Sequence, residues 1–468
     1  MEIFKLFIGG EWIDGDSTEM IDVENPATKE IIAKVPKGNE ADCNKAVEAA
    51  KKGFEVWKDY SAQMRAECLY KLADYFEEHS GEIAATITAE LGAPVKMSED
   101  WHVSAAAGET RFFADCAKDF NYEEKKEGYI LRREPFGIVA GITPWNYPLD
   151  QITLKILPAL AAGNCVILKP SQMAPMTAYH FAKGVEAAGF PKGVFNLVTG
   201  RGGEVGNVLA GHPDIRMISF TGSTSAGREV GRLALSNIKK CTLELGGKSA
   251  GIVLESADME AAVDAVLTDC FMNTGQTCNA ITRMIIPKSK KKELEELMVK
   301  RAKEFVVGNP LDENVDIGPL INEKSFNKVK EYIEIGIKEG ATMLAGEVPD
   351  GCENGYYVKP VIFTDVKNDM RIAAEEIFGP VLSVITYDTV EEAIKIANDS
   401  PYGLCGAVYG KEEDAVDVAR HMDTGVICIN GAGICSGAPF GGYKESGIGR
   451  ESCVQSVDEY MEIKAICL

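Results

Sequence analysis

The chain has 468 residues, 46% hydrophobic and 26% charged, the balance of a folded protein too long for a single core. With 71 acidic against 49 basic residues its formal net charge is -22, so it lacks the basic footprint that nucleic acid or an anionic membrane surface requires. No apolar run is long enough to span a membrane, and the apolar start Met1 to Leu6 is too short for a signal peptide. The 13 scattered cysteines therefore read as reduced thiols of a cytoplasmic protein.

In chain order, Val47, Ala50, Phe54 and Trp57 form a helical stripe within residues 40–60, and similar helical patterning continues to about residue 118. Short β-branched runs then alternate with helices. The predicted strands are Gly137 to Ile142, Cys165 to Lys169, Val194 to Thr199 and Met217 to Phe220; the helices between them include Thr177 to Ala188 and Ala226 to Leu235. Near-continuous apolar strands separated by helices predict a parallel sheet covered on both faces. A second α/β region runs from about 250 to 430. Two segments fit neither region: the charged stretch 121–134, and Tyr460 to Leu468, where Met461, Ile463, Ala465 and Cys467 alternate with other residues. A lone terminal strand must pair with something. His79, His102, His180, His212 and His421 share no ligand spacing and no Cys-x-x-Cys occurs, so no metal site is predicted.

Several segments carry chemistry. Phe220-Thr221-Gly222-Ser223-Thr224-Ser225-Ala226-Gly227 follows an apolar strand and opens a helix, where glycine lets backbone approach a pyrophosphate and the helix start offers N–H donors. A plain strand-to-helix turn has the same composition. Lys169-Pro170-Ser171-Gln172 sits at the carboxyl end of a strand, where open α/β sheets bind ligands. Glu244 opens Glu244-Leu245-Gly246-Gly247-Lys248, a carboxylate in an apolar neighbourhood. Cys278 follows Gly275-Gln276-Thr277 in a polar, glycine-rich approach that predicts a turn or helix start, where a thiolate is favoured. Most cysteines are small buried hydrophobes, and the other 12 are read that way. Lys155, inside an apolar helical run, is either an orienting group or a snorkelling lysine.

These segments, in this order, resemble the NAD(P)-dependent aldehyde dehydrogenase superfamily. The similarity runs from Gly10-Glu11-Trp12 and Asn25-Pro26-Ala27-Thr28, through Pro144-Trp145-Asn146-Tyr147-Pro148 and Glu375-Glu376-Ile377-Phe378-Gly379-Pro380, to Pro439-Phe440-Gly441-Gly442-Tyr443-Lys444. The resemblance implies a Rossmann-like cofactor domain (1–118 and 136–246), a second α/β catalytic domain (247–446) and a small β arm (119–135 and 447–468) that joins subunits into a homodimer or homotetramer. It implies Cys278 as nucleophile, Glu244 as the base that activates water, and the Asn146 amide with the Cys278 N–H as oxyanion donors. A removed oxyanion donor typically costs about 3–4 kcal/mol.

For NAD or NADP the implied positions are Ile142, Thr143, Pro144, Trp145, Lys169, Ser171, Gln172, Gly222, Ser223, Gly227, Leu245 and Gly246. Glu376 would bond the nicotinamide ribose and Phe378 would pack near the ring. Gln172 departs from the family, whose NAD-preferring members usually carry Glu there. A carboxylate repels a 2′-phosphate by about 4 kcal/mol for like charges about 4 Å apart at an effective dielectric of 20. The neutral Gln172 therefore predicts that NADP is accepted. Relatives that pass the acyl group to coenzyme A or phosphate typically lack the Glu244 base, so hydrolysis to the free acid is expected. The implied substrate tunnel carries Asp150, Gln151, Leu154 and the loop Gly431 to Ser436 with Cys435, and no arginine clamp is evident. Thr277 stands where some specialised members have Arg. Asp150 and Gln151 point to a small or polar aldehyde rather than a long alkyl one.

Overall fold

The computed structural model describes all 468 residues. The first helix shows why the sequence stripe folds as predicted. Asn39 caps Glu40–Trp57 in a capping box with Asp42, and the apolar face buries Val47, Ala50 and Trp57. Trp57 is fully buried, and its indole N–H donates to the Leu160 carbonyl at 3.3 Å.

Five strands form the parallel centre of an eight-stranded sheet, in the spatial order Lys240–Glu244, Met217–Thr221, Ile138–Ile142, Cys165–Lys169, Phe195–Leu197. Four of them match the predicted runs within a few residues. All five residues of Ile138–Ile142, Cys165–Lys169 and Met217–Thr221 are buried, which explains their near-continuous apolar sequence. The chain moves outward one way from Ile138–Ile142 and then returns to build on its other side. The strand order thus reverses between Ile138–Ile142 and Met217–Thr221, the point where such sheets bind ligands.

A second sheet of seven strands is parallel except for the edge strand Thr342–Ala345. It packs its own apolar clusters of 19, 17 and 11 residues, separate from the 69-residue cluster of the first unit. The expected α/β class and its two α/β regions are therefore present.

A third, three-stranded antiparallel sheet joins Glu123–Lys126, Tyr129–Pro135 and Met461–Cys467. The 447–468 segment divides. Gly447–Ile448 pairs with Lys240–Glu244 at the edge of the first sheet, and only the strand from Met461 enters the three-stranded sheet. The predicted strand is present, but burial does not alternate along it: only Met461 is buried, and Ile463 is 65% exposed and Ile466 40% exposed in the single chain.

The root of this strand is tied down by Asn164. The buried side chain donates to the Tyr460 carbonyl at 2.9 Å and the Ala159 carbonyl at 3.1 Å, and accepts from the Gly137 N–H at 2.9 Å. Asn164→Ala strands these groups without partners, at about 1–3 kcal/mol for an unsatisfied buried group. We expect the unfolding free energy to fall by about 2–4 kcal/mol, read as a lower denaturation midpoint with the slope unchanged. An unchanged midpoint would show that the tie contributes nothing.

Candidate active site

Three chain segments converge at the carboxyl ends of the strands. Glu244 ends Lys240–Glu244 and is only 4% exposed. Both its carboxylate oxygens are buried without a hydrogen-bond partner. Gly247 lies against the loop of Cys278: a Cβ there would sit 2.7 Å from the Cys278 carbonyl. Gly441, from the Pro439 to Lys444 motif, faces the base, for a Cβ there would lie 2.8 Å from Glu244 Oε1. Glycine at these two motif positions is what lets the Cys278 loop and the Glu244 carboxylate pack this closely.

The Cys278 loop is held by backbone geometry that few residues adopt. Asn273, Thr274 and Gly275 have φ of 51°, 60° and 70°. The turn persists because its polar groups are satisfied. The Asn146 amide donates to the Gln276 carbonyl at 3.0 Å, and the Asn273 amide donates back to the Asn146 carbonyl at 2.7 Å. The buried Gln276 side chain bridges to the Asn273 carbonyl and the Ile321 N–H. Asn146, two residues before the next proline in its motif, is thereby fixed against the Cys278 loop with one N–H still free. The Tyr147 hydroxyl bonds Thr277 at 2.8 Å.

The thiolate expectation is corrected. Cys278 follows a 3₁₀ turn, the first of the two predicted settings, but it is half-buried. Burial, followed by the nearby carboxylates Glu244, Glu376 and Asp150, pushes its thiol up to about 12. Glu244 is itself pushed well above the usual carboxylate range, first by burial and then by Glu451.

Glu451 and Lys155 complete the centre. Lys155 is neither exposed nor snorkelling: it is 0% exposed and donates to Glu451 Oε1 at 2.9 Å, Glu451 Oε2 at 3.3 Å and Gln151 Oε1 at 3.3 Å. Sequence reasoning missed Glu451, which lies almost 300 residues away with no local motif; only the fold brings the pair together.

A cavity of about 390 Å³ opens onto Cys278. Leu154, Gln151, Asp150 and Cys435 line it, as predicted, together with Thr277. Trp101, on the π-helical turn Ser98–Val103, and Phe112 and Glu109, on Ser104–Asp119, also line it, and no local motif marks them.

On the other side of Cys278 lie the predicted cofactor positions. Thr143 donates its N–H to the Lys169 carbonyl at 3.1 Å, joining the loop that carries Ile142, Pro144 and Trp145 to the Lys169 strand end. Lys169 is 4% exposed, and burial pulls its amine down to about 8. Ser171 Oγ accepts from Met173 N–H, and Gln172 is half-buried beside it. Gly222 precedes Ser223, which caps Thr224–Leu235; the first-turn N–H groups there have no helical acceptor. A Cβ at Gly227 would overlap Leu245. The Thr143 and Thr221 hydroxyls, at adjacent strand ends, are buried without partners. Glu376 accepts the Gly247 N–H at 3.1 Å, and a Cβ at Gly246 would press on its carboxylate. Phe378 packs edge-on against Trp145, ring centroids 5.5 Å apart. Open donors and orphaned hydroxyls at the strand-order reversal fit a dinucleotide.

Fold and site together define a two-unit α/β protein with a half-buried cysteine between a nucleotide-type strand crevice and a substrate-sized cavity. The chain belongs to the aldehyde dehydrogenase family, whose sequence profile matches residues 12–466. A Staphylococcus epidermidis protein named as an aldehyde dehydrogenase is 44% identical over 465 residues, covering 99% of this chain and 98% of the relative. The crystal structure of a mutant of aldehyde dehydrogenase C from Pseudomonas syringae, in complex with NAD+ and octanal, superimposes with a TM-score of 0.98. It is 44% identical and is matched over 99% of this chain and 96% of that one. Betaine aldehyde dehydrogenase from Staphylococcus aureus, in complex with NAD+, gives a TM-score of 0.96 at 36% identity, over 99% of this chain and 94% of that one.

Because carboxylates hold the thiol up, neutralising one should release it. In Glu244→Gln we expect the pH midpoint for alkylation of Cys278 by iodoacetamide to fall. A midpoint unchanged from wild type would contradict the electrostatic reading.

Proposed function

We propose that this enzyme oxidises an aldehyde to the carboxylic acid with NAD(P)+ and water as co-reactants, through an acyl group held on Cys278. The observation that carries the reading is a buried carboxylate with no protein partner, Glu244, facing the same loop as a half-buried thiol.

The Cys278 sulfur attacks the carbonyl carbon and its proton is lost to solvent or Glu244, giving a thiohemiacetal whose oxyanion meets the free Asn146 N–H and the Cys278 N–H. When bound, the oxidised cofactor supplies the hydride acceptor and a positively charged ring that favours the nearby thiolate. Loss of hydride leaves a thioester on Cys278. Glu244, unpartnered and raised in pKa, then takes a proton from water as that water adds to the thioester, and the thiol leaves with the acid released. The base keeps the reaction hydrolytic rather than acyl-transferring. The Lys155–Glu451 pair sets the field in which Glu244 titrates, since Glu451 raises it and Lys155 lowers it.

Lys169, Ser171, Gly222, Ser223 and Glu376 would hold the cofactor, and the neutral Gln172 admits the 2′-phosphate of NADP beside NAD. Solved relatives carry NAD+. The Pseudomonas syringae relative is complexed with octanal. Here, the polar groups of Tyr147, Asp150, Gln151 and Thr277 on the cavity wall favour a small or polar aldehyde. The exposed apolar residues of Met461–Cys467, an edge strand, support assembly into a homo-oligomer through the arm.

Purified enzyme should form reduced cofactor with NAD and with NADP, and Cys278→Ala should lose turnover by several orders of magnitude. Gln172→Glu should selectively depress NADP activity by at least about tenfold. No NADP activity in wild type would overturn the Gln172 argument, and retained turnover in Cys278→Ala would overturn the mechanism. Catalytic efficiency should be higher for glycolaldehyde or lactaldehyde than for hexanal; the reverse order would remove the polar-substrate reading.

A further inference from the structure

The cavity wall has an unbalanced charge that the chemistry above does not use. Nineteen residues line it, and none is lysine, arginine or histidine, while Glu109 and Asp150 both do. Each has one carboxylate oxygen engaged by the protein: Glu109 Oε2 accepts from Thr153 Oγ1 at 2.6 Å, and Asp150 Oδ2 from Gln151 Nε2 at 3.2 Å. Glu109 Oε1 and Asp150 Oδ1 have no protein donor and are not sealed from the cavity.

The neighbouring cation is already committed. Lys155 has three donors, and two go to Glu451 and one to Gln151. One ammonium thus lies among four carboxylates, Glu109, Asp150, Glu244 and Glu451, in a mostly buried cluster. Burial first, and then neighbouring carboxylates, hold Glu109 well above the usual range and Asp150 up to about 6, a penalty on their charged forms that a cation seated against them would offset.

A second, independent feature of the same cavity points the same way. Trp101, Phe112, Tyr147 and Phe440 line it, and aromatic faces attract cations. Carboxylates and aromatic rings around one substrate-sized space form a receptor for an ammonium group. We propose that the enzyme selects aldehydes bearing a protonated amine at the end remote from the carbonyl, with Glu109 and Asp150 as the specificity-determining residues. This rests on the aldehyde-oxidising reading above. The amine donates to Glu109 Oε1 and Asp150 Oδ1, and the carbonyl is left at Cys278.

The direct test compares 3-aminopropanal with butanal, which differ only by an ammonium in place of a methyl group, and with the anionic succinic semialdehyde. At neutral pH, wild type should favour 3-aminopropanal over butanal in kcat/KM by at least about tenfold, the effect of one well-placed charged contact, and succinic semialdehyde should be poorest. In Glu109→Gln and Asp150→Asn that ratio should fall towards one. Equal or lower efficiency with 3-aminopropanal in wild type overturns the proposal, as does a ratio that survives both substitutions.

A readout without turnover separates this from failure of the aldehyde reading. Butylammonium should protect Cys278 of wild type from iodoacetamide, read by peptide mass spectrometry, at a concentration at least about tenfold below that of pentanol. Protection without any aldehyde turnover would keep the cation site and reject the reaction. Protection by pentanol equal to that by butylammonium would reject the cation site.

Discussion

The site depends on holding a carboxylate, Glu244, in a place where nothing in the protein bonds to it. A buried carboxylate without a partner is costly, and strands and helices normally avoid it. Here the cost is tolerated because Glu244 ends a strand that is paired on both sides at Leu243 and Glu244, with Met217–Thr221 on one side and Gly447–Ile448 on the other. It faces Gly441, where a larger residue would collide with it. The surrounding fold over-determines the position, as expected where an unfavourable group serves function. An unpartnered base keeps its lone pairs for water. A salt-bridged one would be stable and inert.

The same constraint explains the rest of the centre. Burial and then Glu244, Glu376 and Asp150 raise the Cys278 thiol, and Glu451 in turn raises Glu244. Lys155 is the only buried ammonium paired within this cluster, and it supports Glu451 directly. The left-handed turn at Asn273 and Thr274 then fixes Cys278 and Asn146 relative to each other through reciprocal amide bonds. Pre-organisation of this kind is what the proposed oxyanion donors require, since no reorganisation is then needed at the moment of reaction.

Much of this was legible in the sequence, for identifiable reasons. Cys165–Lys169 and Met217–Thr221 are buried on both faces, so their apolar runs announced parallel strands. Cys278, Glu244 and Asn146 sit in short glycine- or proline-bounded segments, and such turns carry local signatures. Glu451 and Glu109 did not show. Glu109 lies on the ordinary-looking helix Ser104–Asp119, and Glu451 acquires meaning only through an ion pair with a residue far away in the chain. The glycine-rich approach does mark a turn, Met272–Gly275, but a turn alone does not report the burial that raises the Cys278 thiol. Its electrostatics are set by carboxylates from three distant segments, which no local pattern reports.

The most direct test of the central claim is to mix Glu244→Gln with cofactor and aldehyde and follow a single turnover, reading reduced cofactor and the mass of Cys278 together. If Glu244 activates the hydrolytic water, reduced cofactor should appear as a burst of about one per active site, and Cys278 should carry the acyl group long enough to be trapped. Sustained turnover in this variant with no acyl adduct on Cys278 would contradict the account.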